Sequence, residues 1–403
     1  MEAGRIMIVG AVLGGLRTAE RLRRLGYDGP LTLIGAEAHE PYDRPPLSKS
    51  LLVQEDDPER GVPLRTAPYA DLALDMRLGV RVTGLDTARK TVVLDGGRTL
   101  DYGRLVIATG LRARTLPALA GAHVLRSLDD CMALRAGMRG ARHVTVVGGG
   151  VLGCEIAAAA RAGGTEVTLV ELLDRPMAQA LGPHAGEVVA ALHRDRGVVV
   201  RCGRRVAGAA GGRVRLDDGS VLPPGPVVAA VGAVPDTGWL DGSGVRLADG
   251  VVCDRTGRTS APDAWAVGDV ARIPDPRHGT VRLEHWTNAA DTAALVAHNL
   301  LAPPGERREP AGAPYFWSDQ YDVKIQCLGL PRPDDDFTIA AGDPGEFRFL
   351  GLYSDRGTVT GAVAFGMPGP LARCRAAVAA GASVTDLLSS APWNRAPVRP
   401  AVR

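Results

Sequence analysis

The chain is poor in aromatic residues, at 4% of its 403 positions, poor in lysine, and carries no cysteine before Cys131. Without an early thiol, the N-terminal third cannot hold a reactive cysteine or a redox-active disulfide. The six cysteines, Cys131, Cys154, Cys202, Cys253, Cys327 and Cys374, show neither CxxC nor metal-ligand spacing. That pattern argues against a metal site and reads as small buried apolar residues in a reducing compartment. No apolar run is long enough to cross a bilayer, and nothing resembling a signal peptide precedes the first apolar strand, so a cytoplasmic protein with no membrane partner is expected. The formal net charge of +2 offers no field to attract nucleic acid.

The shortage of lysine is the most telling. Among 47 basic residues only Lys49, Lys90 and Lys324 are lysines. Where nearly every cation is arginine, a lysine marks a place for a compact charge that can approach a ring closely or change its proton affinity. Lys49 lies in residues 41–51, PYDRPPLSKSL, after an apolar strand. The paired prolines exclude helix until they are passed, so a helix is expected to start near Ser48 as N-cap, with Lys49 in its first turn. The helix dipole disfavours a cation there, which calls for a compensating role. The competing reading is an ordinary solvated lysine.

What the chain has in abundance is glycine at strand ends. Its length predicts two or three domains. Residues 5–10, RIMIVG, form a short apolar strand that runs into the turn GAVLGG, and a helix is expected after Gly15. Gly10 and Gly15, with Gly14 beside them, fill the first and third glycine positions of GxGxxG, but Val12 occupies the second. The next strand, LTLIG, leads to Glu37, placed to hold a ribose hydroxyl. Residues 142–153, RHVTVVGGGVLG, repeat the pattern in full register with Gly148, Gly150 and Gly153, and the following strand ends at Glu171. That offset is close to the roughly 20 residues expected for an acid on an adenosine ribose. Glu171 repels a 2′-phosphate and so favours NADH over NADPH, with Arg175 nearby keeping the alternative open.

Two such fingerprints exceed what one nicotinamide site needs. The economical reading is a flavin in the first and a pyridine nucleotide in the second, arranged for a hydride to pass between rings. Other strand ends add candidates: Thr109 and Gly110 after LVIATG, Gly232 ending the strand VVAAVGAVPDT, and Gly268 with Asp269 after AWAV. Asp269 either caps a following helix or accepts from a polyol chain such as ribityl. A helix is expected from Glu284 onward. Tyr315, Phe316, Trp317 and Tyr321 cluster in an aromatic-poor chain, as core or as the roof of a flat cofactor.

The segments RPPLSK, LVIATG, LRSLDD, VVGGGVLGCEIA, WAVGDVA, EHWTNA and YFWSDQYDVKIQ, in this order, resemble the FAD-dependent, NADH-linked ferredoxin reductases that serve bacterial cytochrome P450s and ring-hydroxylating oxygenases. The resemblance runs nearly the whole chain. It implies an α/β fold of two Rossmann-like dinucleotide-binding domains with a smaller α+β C-terminal domain. The FAD domain then takes residues 1–112 and 240–308, the NAD(H) domain 113–239, and the third domain 309–403. It further implies that Gly10, Gly15 and Glu37 hold the FAD adenylate half. Arg44, Lys49, Val82, Arg126, Asp269 and Trp286 line the flavin and its ribityl chain, with Trp317 near the ring. Lys49 pairs with Glu155 at the reactive edge, and Gly150, Leu152, Glu155, Glu171 and Gly232 hold NADH. The implied partner is a 2Fe-2S ferredoxin that supplies an oxygenase, and the implied state is a monomer or homodimer.

Two positions depart from the family pattern: Val12 stands where Ser is common and crowds the pyrophosphate turn, and Tyr315 replaces Trp. The missing early cysteine disfavours disulfide reductases and NADH peroxidases. Two readings remain beside the main one: a related flavoenzyme that reduces a quinone, oxygen or small molecule directly, and a flavin-binding redox sensor without turnover.

Overall fold

The computed structural model describes residues 4–53 and 62–394. The outer ends of the first and third expected domains, 1–3 and 395–403, lie outside the described residues. The first sheet is parallel, in the order Ala264–Ala266, Arg104–Ile107, Ile6–Val9, Leu31–Ile34, Leu74–Arg77. These strands are short and mostly apolar because helices cover one face and the antiparallel strands Val82–Asp86, Thr91–Leu94 and Thr99–Asp101 pack on the other, so no face alternates toward water. The edge strand Ala264–Ala266 arrives from late in the chain, so this unit is interrupted in sequence. Helices Leu13–Arg24 and Trp286–Leu301 pack on one another over it through Ala19, Leu22, Val296, Ala297 and Leu300.

The second sheet is also parallel, in the order Val199–Arg201, Glu166–Val170, His143–Val147, Val227–Ala229. Its helices are Val151–Ala162 and Ala178–Asp195, the latter interrupted at Gly182 ahead of Pro183. A two-stranded antiparallel link, Leu111–Ala113 with Ala233–Pro235, joins the two parallel units. The third part is an antiparallel sheet of five strands, in the order Tyr315–Gln320, Val323–Gly329, Thr358–Phe365, Arg348–Asp355, Asp336–Asp343, covered by the helix Pro368–Ala380.

Five local expectations are corrected. The first helix starts at Leu13 and contains Gly14 and Gly15. Residues 45–48 form a 3-10 turn, because proline is tolerated in the first positions of a helical turn, whose amides need no partner. Lys49 therefore sits between that turn and the short helix Ser50–Val53 rather than inside a first turn, and Ser48 is not an N-cap. The run VVAAVGAVPDT is two strands, with Gly232 between them at φ +97°. Asp269 caps no long helix: it lies in a 3-10 turn, Gly268–Val270, and a hairpin, Ala271–Asp275 with Gly279–Val281, precedes the helix that starts at Trp286. That start is two residues later than Glu284.

Candidate active site

The two glycine turns are geometric copies. Gly10 at φ +118° and Gly148 at φ +102° each run so close to the neighbouring strand that a Cβ would sit 2.1 Å from the Ala108 carbonyl oxygen or 2.2 Å from that of Ala230. Gly15 and Gly153 then pack on the turn itself, where a Cβ would lie 1.9 Å from the Gly10 oxygen and 1.8 Å from that of Gly148. The middle position differs in kind. Val12 and Gly150 are the N-caps of their helices in extended conformations open to any residue, and nothing lies within 4 Å of where a Gly150 Cβ would stand. Val12 therefore strains no backbone, and its side chain enters the cavity wall. Neither helix has a side-chain cap, so the leading amides and positive dipole end of each are left for an anion.

Both N-termini border one cavity of about 1050 Å³. This exceeds the upper end of the ~300–1,000 Å³ usual for a single small ligand. Its wall includes Val12, Leu13 and Gly14 from the first turn, Gly148, Gly150 and Leu152 from the second, and Gly110, Gly232 and Gly268 at the strand ends.

Between the turns stands an ion pair. Lys49 Nζ donates to Glu155 Oε2 at 2.8 Å and to the Pro45 carbonyl at 3.2 Å. The carboxylate also accepts from the Ser48 hydroxyl at 2.6 Å and, on its other oxygen, from the Ser318 hydroxyl at 2.9 Å. Glu155 is 7% exposed, and these donors replace the water it has lost. Lys49 comes from the proline turn, Glu155 from the helix Val151–Ala162, and Ser318 from the C-terminal sheet, so all three parts of the fold meet here.

A second charged group lies deeper along the wall. Arg126 donates from Nε to the Leu111 carbonyl at 3.0 Å and places Nη2 3.7 Å from Asp269 Oδ2. Although about a third of its side chain faces the cavity, burial and then the like charge of Arg44 pull its guanidinium down to about 10, against the attraction of Asp269. Burial raises the carboxyl of Asp269, with Arg126 opposing. Arg44 donates to the Arg126 carbonyl at 2.8 Å and to Glu37 at 2.7 Å, and Tyr42 also donates to Glu37.

The remaining wall is aromatic. Trp286 donates its indole N–H to Asp43 at 2.7 Å and meets Trp317 edge-on at 6.0 Å between ring centres. Phe316 and His285 lie beside them, 5.1 Å apart, and burial lowers the His285 imidazole to about 4, so it is neutral. Across the cavity, Glu171 accepts from the amides of Gly149 at 2.5 Å and Leu173 at 2.7 Å, which fixes it beside the second turn.

Several sequence candidates stand elsewhere. Val82 is buried in the core with Met7, Val9 and Ile34 and does not line the cavity. Thr109 also lies off the lining, its hydroxyl donating to the Asp236 carbonyl at 2.7 Å, and Glu37 is held off it by Arg44 and Tyr42. Gly10, Gly15 and Gly153 shape the turns from behind. Sequence reading missed Ser48 and Ser318 as donors, and also Asp43 and His285 in the wall, while Phe316 lines it as one of the clustered aromatics. His285 was signalled only by its place next to Trp286 in a segment already singled out.

The donor sets fit a dinucleotide in each turn: uncapped amides for a pyrophosphate, acids at 171 and 269 for hydroxyls, and a flat aromatic wall for a ring. Comparisons with known proteins agree with this. Residues 4–293 match the pyridine nucleotide-disulphide oxidoreductase family, and residues 315–390 match the reductase C-terminal family. The chain is 38% identical to the ferredoxin–NAD(+) reductase component of the anthranilate 1,2-dioxygenase system of Burkholderia cepacia, over 95% of this chain and 96% of that one. It is 34% identical to the putidaredoxin reductase CamA of Pseudomonas putida, over 87% of this chain and 86% of that one. Among solved structures, the covalent putidaredoxin reductase–putidaredoxin complex superposes with a TM-score of 0.90 at 31% identity, covering 96% of each chain.

Proposed function

Since this chain belongs to the pyridine nucleotide-disulphide oxidoreductase family, in its branch of ferredoxin–NAD(+) reductases, we propose that it oxidises NADH through FAD and passes the electrons singly to a 2Fe-2S ferredoxin. That ferredoxin supplies a cytochrome P450 or another oxygenase, and the reaction runs in the cytoplasm. The bound flavin converts a two-electron donor into one-electron deliveries.

The protein supplies alignment and charge. The first turn and the amides after Val12 hold the FAD pyrophosphate, with Arg126 and Asp269 on the ribityl chain and Lys49, Trp286 and Trp317 around the ring. The second turn, with Gly150, Leu152, Glu171 and Gly232, holds NADH. Glu171 is anchored by two amides and presents its negative charge where a 2′-phosphate would lie, which favours NADH over NADPH. Lys49 offsets the negative charge that arrives with a hydride, and Glu155 keeps its ammonium in place.

One observation carries this reading: both uncapped helix N-termini open into a single cavity, and the Lys49–Glu155 pair stands between them. The test is an anaerobic titration of the FAD-loaded protein with NADH and NADPH, followed by cytochrome c reduction with and without a 2Fe-2S ferredoxin. Bleaching by NADH and ferredoxin-dependent cytochrome c reduction are expected. Equal reduction without the carrier would favour direct reduction of a small acceptor, and a flavin that NADH cannot bleach would point to a binding module without turnover.

A further inference from the structure

Behind Glu155 runs a line of buried polar side chains that the proposed chemistry does not use. Ser318, Gln320 and His193 are each fully buried, in a region otherwise packed with apolar residues. Gln320 donates from Nε2 to the Ser318 hydroxyl at 3.1 Å and to the Met177 sulfur at 3.2 Å. His193 Nδ1 lies 2.9 Å from the Tyr321 hydroxyl. Gln320 Oε1 and His193 Nε2 have no hydrogen-bond partner among the described residues, so the hydrogen-bonded line behind Glu155 ends at Gln320.

The direction of every hydrogen bond then follows from one end. The Glu155 carboxylate can only accept, so Ser318 donates to it. Ser318 must then accept, which assigns the amide of Gln320 to it, so both bonds point the same way, toward the carboxylate.

We propose that Gln320 and Ser318 form a one-way hydrogen-bond chain that sets how strongly Glu155 holds Lys49, and that both are positioning residues for the reaction. The inference rests on the function proposed above. An amide at its head passes no proton without tautomerising, so the chain orients and polarises rather than conducts. Aligned bonds reinforce one another in a low-dielectric interior, so a break anywhere weakens the last donor to Glu155. A carboxylate that has lost that donor draws Lys49 Nζ closer to itself and away from the ring.

The test uses the FAD-loaded protein with Ser318→Ala, Gln320→Leu and, as rescue, Ser318→Thr. Ser318→Ala and Gln320→Leu are expected to move the flavin midpoint potential to more negative values and to slow bleaching by NADH about 10-fold, while Ser318→Thr restores both. Unchanged potentials in variants with full FAD content would overturn the chain's influence on Lys49. If the parent itself fails to bleach, it is the function that falls; if the parent bleaches and the variants match it, only this inference does.

Discussion

Replacing Lys49 by Met keeps the length and apolar stem of the side chain and removes only the ammonium. The pair it breaks is short, 2.8 Å, and Glu155 is 7% exposed against 21% for Lys49, so most of the cost falls on the carboxylate left behind. Removing one partner of a buried ion pair costs about 3–5 kcal/mol when nothing else satisfies the survivor. Here the hydroxyls of Ser48 and Ser318 still donate to it, and Lys49 is partly screened. The expected loss of stability is therefore nearer to one charge-assisted hydrogen bond, about 1.5–3 kcal/mol. The rate effect has a different origin. A preorganised charge aimed at developing negative charge is worth about 100-fold in rate, or ~2.7 kcal/mol. Stopped-flow bleaching by NADH and denaturant unfolding of Lys49→Met read the two effects separately. Adding Glu155→Gln removes the stranded charge and is expected to recover stability but not rate. Bleaching within threefold of the parent at equal FAD content, or a double variant no more stable than the single one, would refute the assignment.

The two turns separate glycines that the backbone demands from one that the ligand demands. Gly148→Ala forces a Cβ onto the Ala230 carbonyl at positive φ and is expected to give little folded protein, whereas Gly150→Ala has open space and should fold normally while raising KM for NADH about tenfold. Thermal melts and steady-state kinetics distinguish them. Val12→Gly is expected to leave folding intact and tighten FAD several-fold, read as slower FAD release by its fluorescence, since Val12 lies in the wall beside the uncapped helix. Buried His193 is lowered to about 4, against about 6.5 for an unperturbed imidazole, so the unfolded chain binds more protons between these values. Its contribution is present above about pH 6.5 and is lost as pH falls toward 4. His193→Phe should therefore remove about 2 kcal/mol of the stability drop between pH 7 and pH 5, measured by urea unfolding.

Both dinucleotide turns were readable because their physics is local. A strand, a glycine that must take positive φ and a helix that must start without a cap all fall within a dozen residues, and a single strand–helix–strand unit brings Glu171 to the second turn from 22 residues on. Ser127 with Asp130 was equally readable: it forms a capping box at the start of the helix Leu128–Met138 but was not singled out. The 3-10 turn at Pro45–Ser48 and the split of VVAAVGAVPDT were misread because proline rules and apolar runs do not say where a turn closes or which sheet a strand joins. Val82 was placed at the ring by family likeness, and packing put it in the core.

The surroundings of Glu155 were beyond any local rule. Its hydroxyl donors come from 107 residues before and 163 residues after it, and neither serine carries a pattern that points to a carboxylate. Residue order set the two cradles and the identity of the lone lysine near the first of them, since those depend on neighbours along the chain. The folded arrangement chose which oxygen each buried donor meets, because desolvating Glu155 requires partners that only packing of three separate parts of the fold can bring together.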